Sequence, residues 1–131
     1  MSVPIIKNRE LRGVVRLTET ATYFFNLPEN GQGSQNTLAN YNTEEVWIIC
    51  DRGGEESITC DIWLPQIALF KGGWNGKIYV VNKDENVKIN AFQNGINDDS
   101  INFVDFTSVG VKGIIMLHIV DNNLWGSWNV V

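Results

Sequence analysis

The chain predicts an all-β fold, an antiparallel two-sheet β-sandwich or jelly roll of about eight to nine short strands. Three observations lead there. Short β-branched and aromatic runs recur along the 131 residues, separated by Gly, Pro, Asn and Asp clusters. No helix-period segment of useful length interrupts them. Asparagine concentrates at the breaks, as at Asn30, Asn36, Asn40, Asn42, Asn94, Asn97, Asn122 and Asn123. It tolerates left-handed backbone and closes turns.

Taken in order, residues 1–9 read as an N-terminal arm and residues 10–131 as a single β-sandwich domain. The arm carries Val3, Ile5 and Ile6, which would meet water unless they dock on a neighbour; the alternative is a frayed terminus. Residues 11–17 alternate, with Leu11, Val15 and Leu17 on one face, as a half-buried strand does. Residues 20–27 form a second strand, with Tyr23 and Phe25 opposite Phe24, and Pro28 breaks it. Residues 30–42, rich in Gly, Gln, Asn and Ser, read as a long exposed loop. Residues 45–51 and 57–64 are the best hairpin candidate, joined by a segment with Gly53 and Gly54. In its second arm Ile58, Cys60 and Ile62 share the core face, and Trp63 shares the wetter one.

Pro65 stops that strand, because it cannot donate to a sheet ladder. Residues 66–71 suit a single helical turn or an irregular bridge. Gly72, Gly73 and Gly76 then form a corner around Trp74 and lead into a buried strand at 77–82. Further strands follow at 86–92 and 100–106. Residues 111–120 are apolar on both faces, which predicts a central strand. Residues 124–131 close the sheet, with Trp125 and Trp128 on opposite faces.

Composition narrows the function. Hydrophobic residues at 44% and charged residues at 19% describe a chain that buries a core. The net charge of −5 is dispersed, which argues against nucleic acid, whose phosphates need a basic patch. No apolar run approaches the ~20 residues of a membrane span, so no membrane insertion is expected. The N-terminus lacks the apolar region of a secretory signal, so folding in a cytoplasm is expected. Cys50 and Cys60 flank the Gly53-Gly54 turn and read as free thiols on adjacent strands, although a longer loop could bring them together.

Catalytic apparatus is thin, so no enzyme, cofactor or metal is expected. The lone histidine, His118, sits mid-strand among Met116, Leu117 and Ile119, as a satisfied core or interface histidine would. The carboxylate pairs Asp84 with Glu85 and Asp98 with Asp99 read as solvated turn residues rather than an acid–base pair. Five tryptophans carry more information. Exposed aromatics beside amides stack on sugar rings, which makes Trp63, Trp74 and Asn75 candidate glycan-binding residues. Core packing and aromatic subunit interfaces explain the same residues.

Ile62-Trp-Leu-Pro65, Gly73-Trp-Asn-Gly-Lys-Ile-Tyr-Val-Val-Asn82, Val87-Lys-Ile-Asn90, Ile101-Asn-Phe103, the Gly113 to Val120 strand and Trp128-Asn-Val-Val131 follow one another along the chain. Over residues 57–131 this order resembles a β-module of bacteriophage virion proteins, found in tail-fibre and head-fibre or decoration proteins. The resemblance implies a non-enzymatic virion structural protein, made in the host cytoplasm and often homotrimeric. It implies contact with other virion proteins and, in some members, host surface glycans. Val3, Ile5 and Ile6 would then contact the particle or a neighbouring subunit. A stand-alone carbohydrate-binding module is the alternative.

Overall fold

The computed structural model describes residues 5–28, 45–54, 56–70, 74–83, 85–98, 103–105 and 113–130. Eleven strands form among them. They are β1 (Ile6–Glu10), β2 (Val14–Leu17), β3 (Ala21–Asn26), β4 (Glu45–Cys50), β5 (Thr59–Leu64), β6 (Lys77–Asn82), β7 (Asn86–Ala91), β8 (Gly95–Ile96), β9 (Phe103–Asp105), β10 (Gly113–Asp121) and β11 (Leu124–Asn129). A single 3-10 turn at Ile67–Leu69 follows Pro65, where the sequence suggests one.

The strands are sorted into two sheets. Sheet A has the order β1-β3-β5-β7-β9, and sheet B the order β2-β4-β6-β10-β11-β8. From β1 to β7 the chain therefore crosses to the opposite sheet after every strand. Each strand pairs with the one a full circuit earlier, and six pairings are parallel against three antiparallel. This overturns the expected antiparallel sandwich or jelly roll. The architecture is a flattened coil of mixed, mostly parallel sheets.

Corner length explains the difference. Residues 11–13 and 18–20 each carry the chain from one sheet to the other. Three extended residues reach about 10 Å, the spacing of two packed sheets. A short corner is thus as compatible with changing sheet as with turning back beside the previous strand. Gly13, at φ 65°, supplies left-handed backbone at the first corner. The expected hairpin of residues 45–51 and 57–64 does not form, because β4 lies in sheet B and β5 in sheet A.

Successive corners are stitched to one another. The Asp51 amide donates to the Leu17 carbonyl at 3.1 Å, and the Lys83 amide to the Cys50 carbonyl at 3.1 Å. Glu85 is buried between two such corners. Its Oε1 accepts from the Ile58 amide at 2.9 Å and its Oε2 from the Arg52 amide at 2.6 Å. Asn82 bonds back to the Glu85 backbone through Nδ2 and Oδ1, at 2.9 and 2.8 Å. Glu85 is therefore a buried corner staple, not the solvated turn residue expected.

Alternation along each strand builds one core between the sheets. Tyr23, Phe25, Ile62, Leu64, Val87 and Ile89 point inward from sheet A, and Val46, Ile48, Ile78, Val80, Leu117 and Trp125 from sheet B. Each fully buried aliphatic contributes about 1.5–3 kcal/mol relative to exposure. Phe70, Trp74 and Trp125 pack together at one side, with ring centroids 4.6 and 5.5 Å apart. Cys50 and Cys60 are free and buried on facing sheets, where contact with Cys60 and then burial push the Cys50 thiol up. The open edge of sheet A is guarded. In β1, Lys7 and Arg9 sit in register with the buried Tyr23 and Phe25, placing charge on the core side of an edge strand. Lys7 pairs with Glu19 at 2.7 Å. Inward charge of this kind discourages another strand from pairing there.

Candidate ligand groove and the outer sheet faces

The outer face of sheet A carries an aromatic row. Register aligns Asn8, Phe24, Trp63, Asn90 and Phe103 across β1, β3, β5, β7 and β9. Phe24 stacks beside Trp63 at 6.0 Å, and Phe92 meets Trp63 edge-on at 6.3 Å. The corner after β5 rises beside them. Together Phe24, Trp63, Pro65, Leu69 and Phe92 line an open groove of about 340 Å³, with Asn26 and Gln66 also lining it. Phe24, Leu69 and Phe92 are exposed there.

The polar groups beside the groove are held in place. Asn90 is buried on this face and donates through Nδ2 to Asp61 Oδ1 at 2.6 Å and to the Ile62 carbonyl at 3.0 Å. Lys88 lies 4.3 Å over the Phe103 ring. Aromatic walls with amides alongside can stack on the apolar face of a sugar ring while the amides bond its hydroxyls. The same walls can hold an apolar side chain.

The residues singled out in the sequence fall in different surroundings. Trp63 is half-buried in the groove. Trp74 is 5% exposed and belongs to the core cluster, so its ring offers no open face to a sugar. Asn75 is exposed but does not line the groove. Ile5 and Ile6 are exposed at the edge of sheet A, with Ile6 inside β1, while Val3 lies outside the described residues. Sequence reasoning misses Phe24, Pro65, Leu69 and Phe92 as groove residues. The available signal is the outward position of Phe24 in a strand whose neighbours Tyr23 and Phe25 are core.

The outer face of sheet B is largely apolar over two rows and polar over a third, with Arg16 in register with Ile49 at the β2 end. Val14, Trp47, Tyr79, Met116 and Trp128 form one row by register. Ile49, Val81 and Ile114 form the next, extended by Val130, whose amide donates to the Ile114 carbonyl. His118 and Gly126 form the third with Lys77 and Glu45. Val14, Val120, Trp128 and Val130 are each more than half exposed. Trp47 stacks on Tyr79 at 4.3 Å, and His118 on Trp128 at 4.5 Å. His118 Nε2 is buried without a hydrogen-bond partner, so this histidine is packed rather than satisfied. Burial, and then the Lys77 charge, lower its pKa.

Among the described residues, no three His, Cys, Asp or Glu side chains gather as a metal site would need. No helix among them is long and apolar enough to cross a membrane. Asp84 and Asp99 lie outside the described residues, and Asp98 is exposed. Comparison of the chain with protein-family models, with curated proteins and with solved structures yields no match.

Proposed function

We propose that this protein is a non-enzymatic structural component of a phage virion, displayed on the capsid or tail as a decoration, head-fibre or fibre-tip module. Its partners are copies of itself, as a homotrimer, other virion proteins and a host surface glycan. The sequence order of residues 57–131 supports the virion assignment. The observation that carries the attachment role is the open aromatic groove around Trp63, on the outer face of sheet A. Ile5 and Ile6, exposed at the sheet edge, serve as contacts to the particle or to a neighbouring copy.

Mass spectrometry of phage particles purified from the source of the chain tests the assignment. Stoichiometric presence of the chain in the particles is expected, and its absence from them overturns the reading. The same groove favours a second reading, a stand-alone carbohydrate-binding module. An array of bacterial surface polysaccharides tests the groove itself. The purified protein should bind saturably, and Trp63→Ala should weaken binding at least tenfold, about 1.4 kcal/mol. No binding, or binding indifferent to Trp63, refutes the attachment role.

A further inference from the structure

We infer that Asn75 is a spontaneous modification site, deamidating through Gly76 to aspartate and isoaspartate, while the same Asn-Gly pair at Asn94 is protected by the fold. The inference stands without the virion reading. Asparagine followed by glycine is the pair most open to this chemistry, because glycine has no side chain to keep its nitrogen from the asparagine amide carbon. The chain has three such pairs, Asn30-Gly31, Asn75-Gly76 and Asn94-Gly95. The first lies outside the described residues. The other two meet opposite surroundings.

At Asn94 both reacting groups are engaged. Its Oδ1 accepts from the Ile67 amide at 3.0 Å, which ties the side chain to the 3-10 turn after β5. The Gly95 amide, the attacking group, donates to the Asn123 carbonyl at 3.0 Å, and Gly95 is buried in β8 beside Leu124. Both bonds must break before nitrogen and carbon can meet. Asn75 is exposed and belongs to no strand; it lies between the core residue Trp74 and the start of β6. Among the described residues its side chain has no hydrogen-bond partner. Gly76 is buried, but only a proton has to leave its nitrogen, and ammonia departs from the exposed Asn75 side chain.

Water is the one co-reactant, and nothing is oxidised or reduced. The Gly76 nitrogen loses its proton and bonds to Asn75 Cγ. The Cγ–Nδ2 bond breaks, and the amide nitrogen leaves with a proton as ammonia, closing a succinimide. Water then opens the ring. Cleavage at Cγ gives aspartate, and cleavage at the main-chain carbonyl gives isoaspartate, in which the chain runs through the former side chain. Either product adds one negative charge. Isoaspartate also lengthens the backbone by one atom between Trp74, packed on Phe70 at 4.6 Å, and Lys77, the first residue of β6. It therefore loosens the entry to a central strand of sheet B.

Peptide mapping by mass spectrometry tests the inference on the full chain, held folded in mildly alkaline buffer over weeks. The fragment from Gly72 to Lys77 should gain the mass of an amide turned into an acid, in two chromatographic forms. The fragment holding Asn94 should convert about 30-fold more slowly, the factor for first breaking two hydrogen bonds of ordinary net strength. In denaturant the two should convert at similar rates, because the fold no longer separates them. Aged wild type should also unfold at a lower temperature than equally aged Asn75→Gln, whose longer side chain closes the ring far more slowly. Equal rates at Asn75 and Asn94 in the folded chain overturn the inference. So does an Asn75 that stays intact when folded but converts in denaturant. Equal unfolding temperatures of the two aged proteins overturn the effect on β6.

Discussion

Removing the Glu85 carboxylate should loosen the coil at its corners. In Glu85→Ala the amides of Ile58 and Arg52 lose the oxygens that now accept from them at 2.9 and 2.6 Å. An unsatisfied buried donor costs about 1–3 kcal/mol, so the two together set a range of about 2–6 kcal/mol. The Ile58 bond is buried, whereas the Arg52 bond is only part-buried, so water recovers some of the second. The expected loss therefore falls in the lower half of that range. At about 2.1 cal/mol/K of unfolding entropy per residue, each 1 kcal/mol shifts the midpoint of a chain this long by roughly 3–4 °C. Thermal unfolding followed by circular dichroism at fixed protein concentration should show a drop of about 7–14 °C for the lower half. Glu85→Gln keeps one acceptor oxygen and should lose about half as much. The control is Glu56→Ala, whose exposed carboxylate meets Arg52 only at 3.8 Å, and whose effect should stay within about 0.5 kcal/mol. If Glu85→Ala falls within that same margin, the carboxylate does not hold the corners together.

Two further predictions concern the face of sheet B. A Cβ at position 126 would lie 2.6 Å from His118 Nε2 and 2.9 Å from Val120 Cγ2, so Gly126→Ala should cost about 1–3 kcal/mol by overpacking. His118→Ala in the same chain should relieve part of that cost, and strictly additive losses in a double-mutant cycle would contradict the contact. His118 also makes stability pH-dependent. Its pKa is lowered from the ordinary 6.5, chiefly by burial and then by Lys77 on β6; the other charged group of that row is Glu45 on β4, and the β11 neighbours Gly126 and Trp128 are uncharged. Between the lowered value and 6.5 the unfolded chain holds a proton that the folded chain does not, so stability is full above 6.5 and falls as the pH drops through that window. Urea midpoints from pH 7.5 to 5 should decline less steeply in His118→Gln, and parallel declines would refute the assignment.

The strands themselves are legible in the sequence, because period-two alternation is a local property. Ile58, Cys60 and Ile62 face the core and Trp63 faces outward, as their spacing predicts, and Trp125 and Trp128 separate as expected. The central position of β10 follows from its two apolar faces. Pairing is less legible, because it depends on whether a corner returns beside the last strand or crosses to the other sheet. Residues 51–58 permit either, and glycine at 53 and 54 favours neither. A clue to parallel order lies in residues 46–49 and 78–81, apolar on consecutive positions where a half-solvated antiparallel strand would alternate.

Candidate site residues separate on similar grounds. Trp63 is fixed by strand register, which spacing reveals. Trp74 lies outside the strands, so its burial depends on Phe70 and Trp125 arriving from distant parts of the chain. Glu85 resembles any acidic turn residue until the corner containing Arg52 is brought over it. The groove needs Phe24, Trp63 and Phe92 from three strands or their ends, and only parallel stacking of β3, β5 and β7 makes them neighbours.

Hydroxyl-radical footprinting, read by mass spectrometry across a dilution series, compares the groove with the core in one sample. Phe24 and Phe92 on sheet A should oxidise readily at every concentration. Trp74 and Trp125 in the core should stay protected at every concentration. Protection of Phe24 and Phe92 in the free protein, or ready labelling of Trp74 and Trp125, would contradict an open aromatic groove on a two-sheet core.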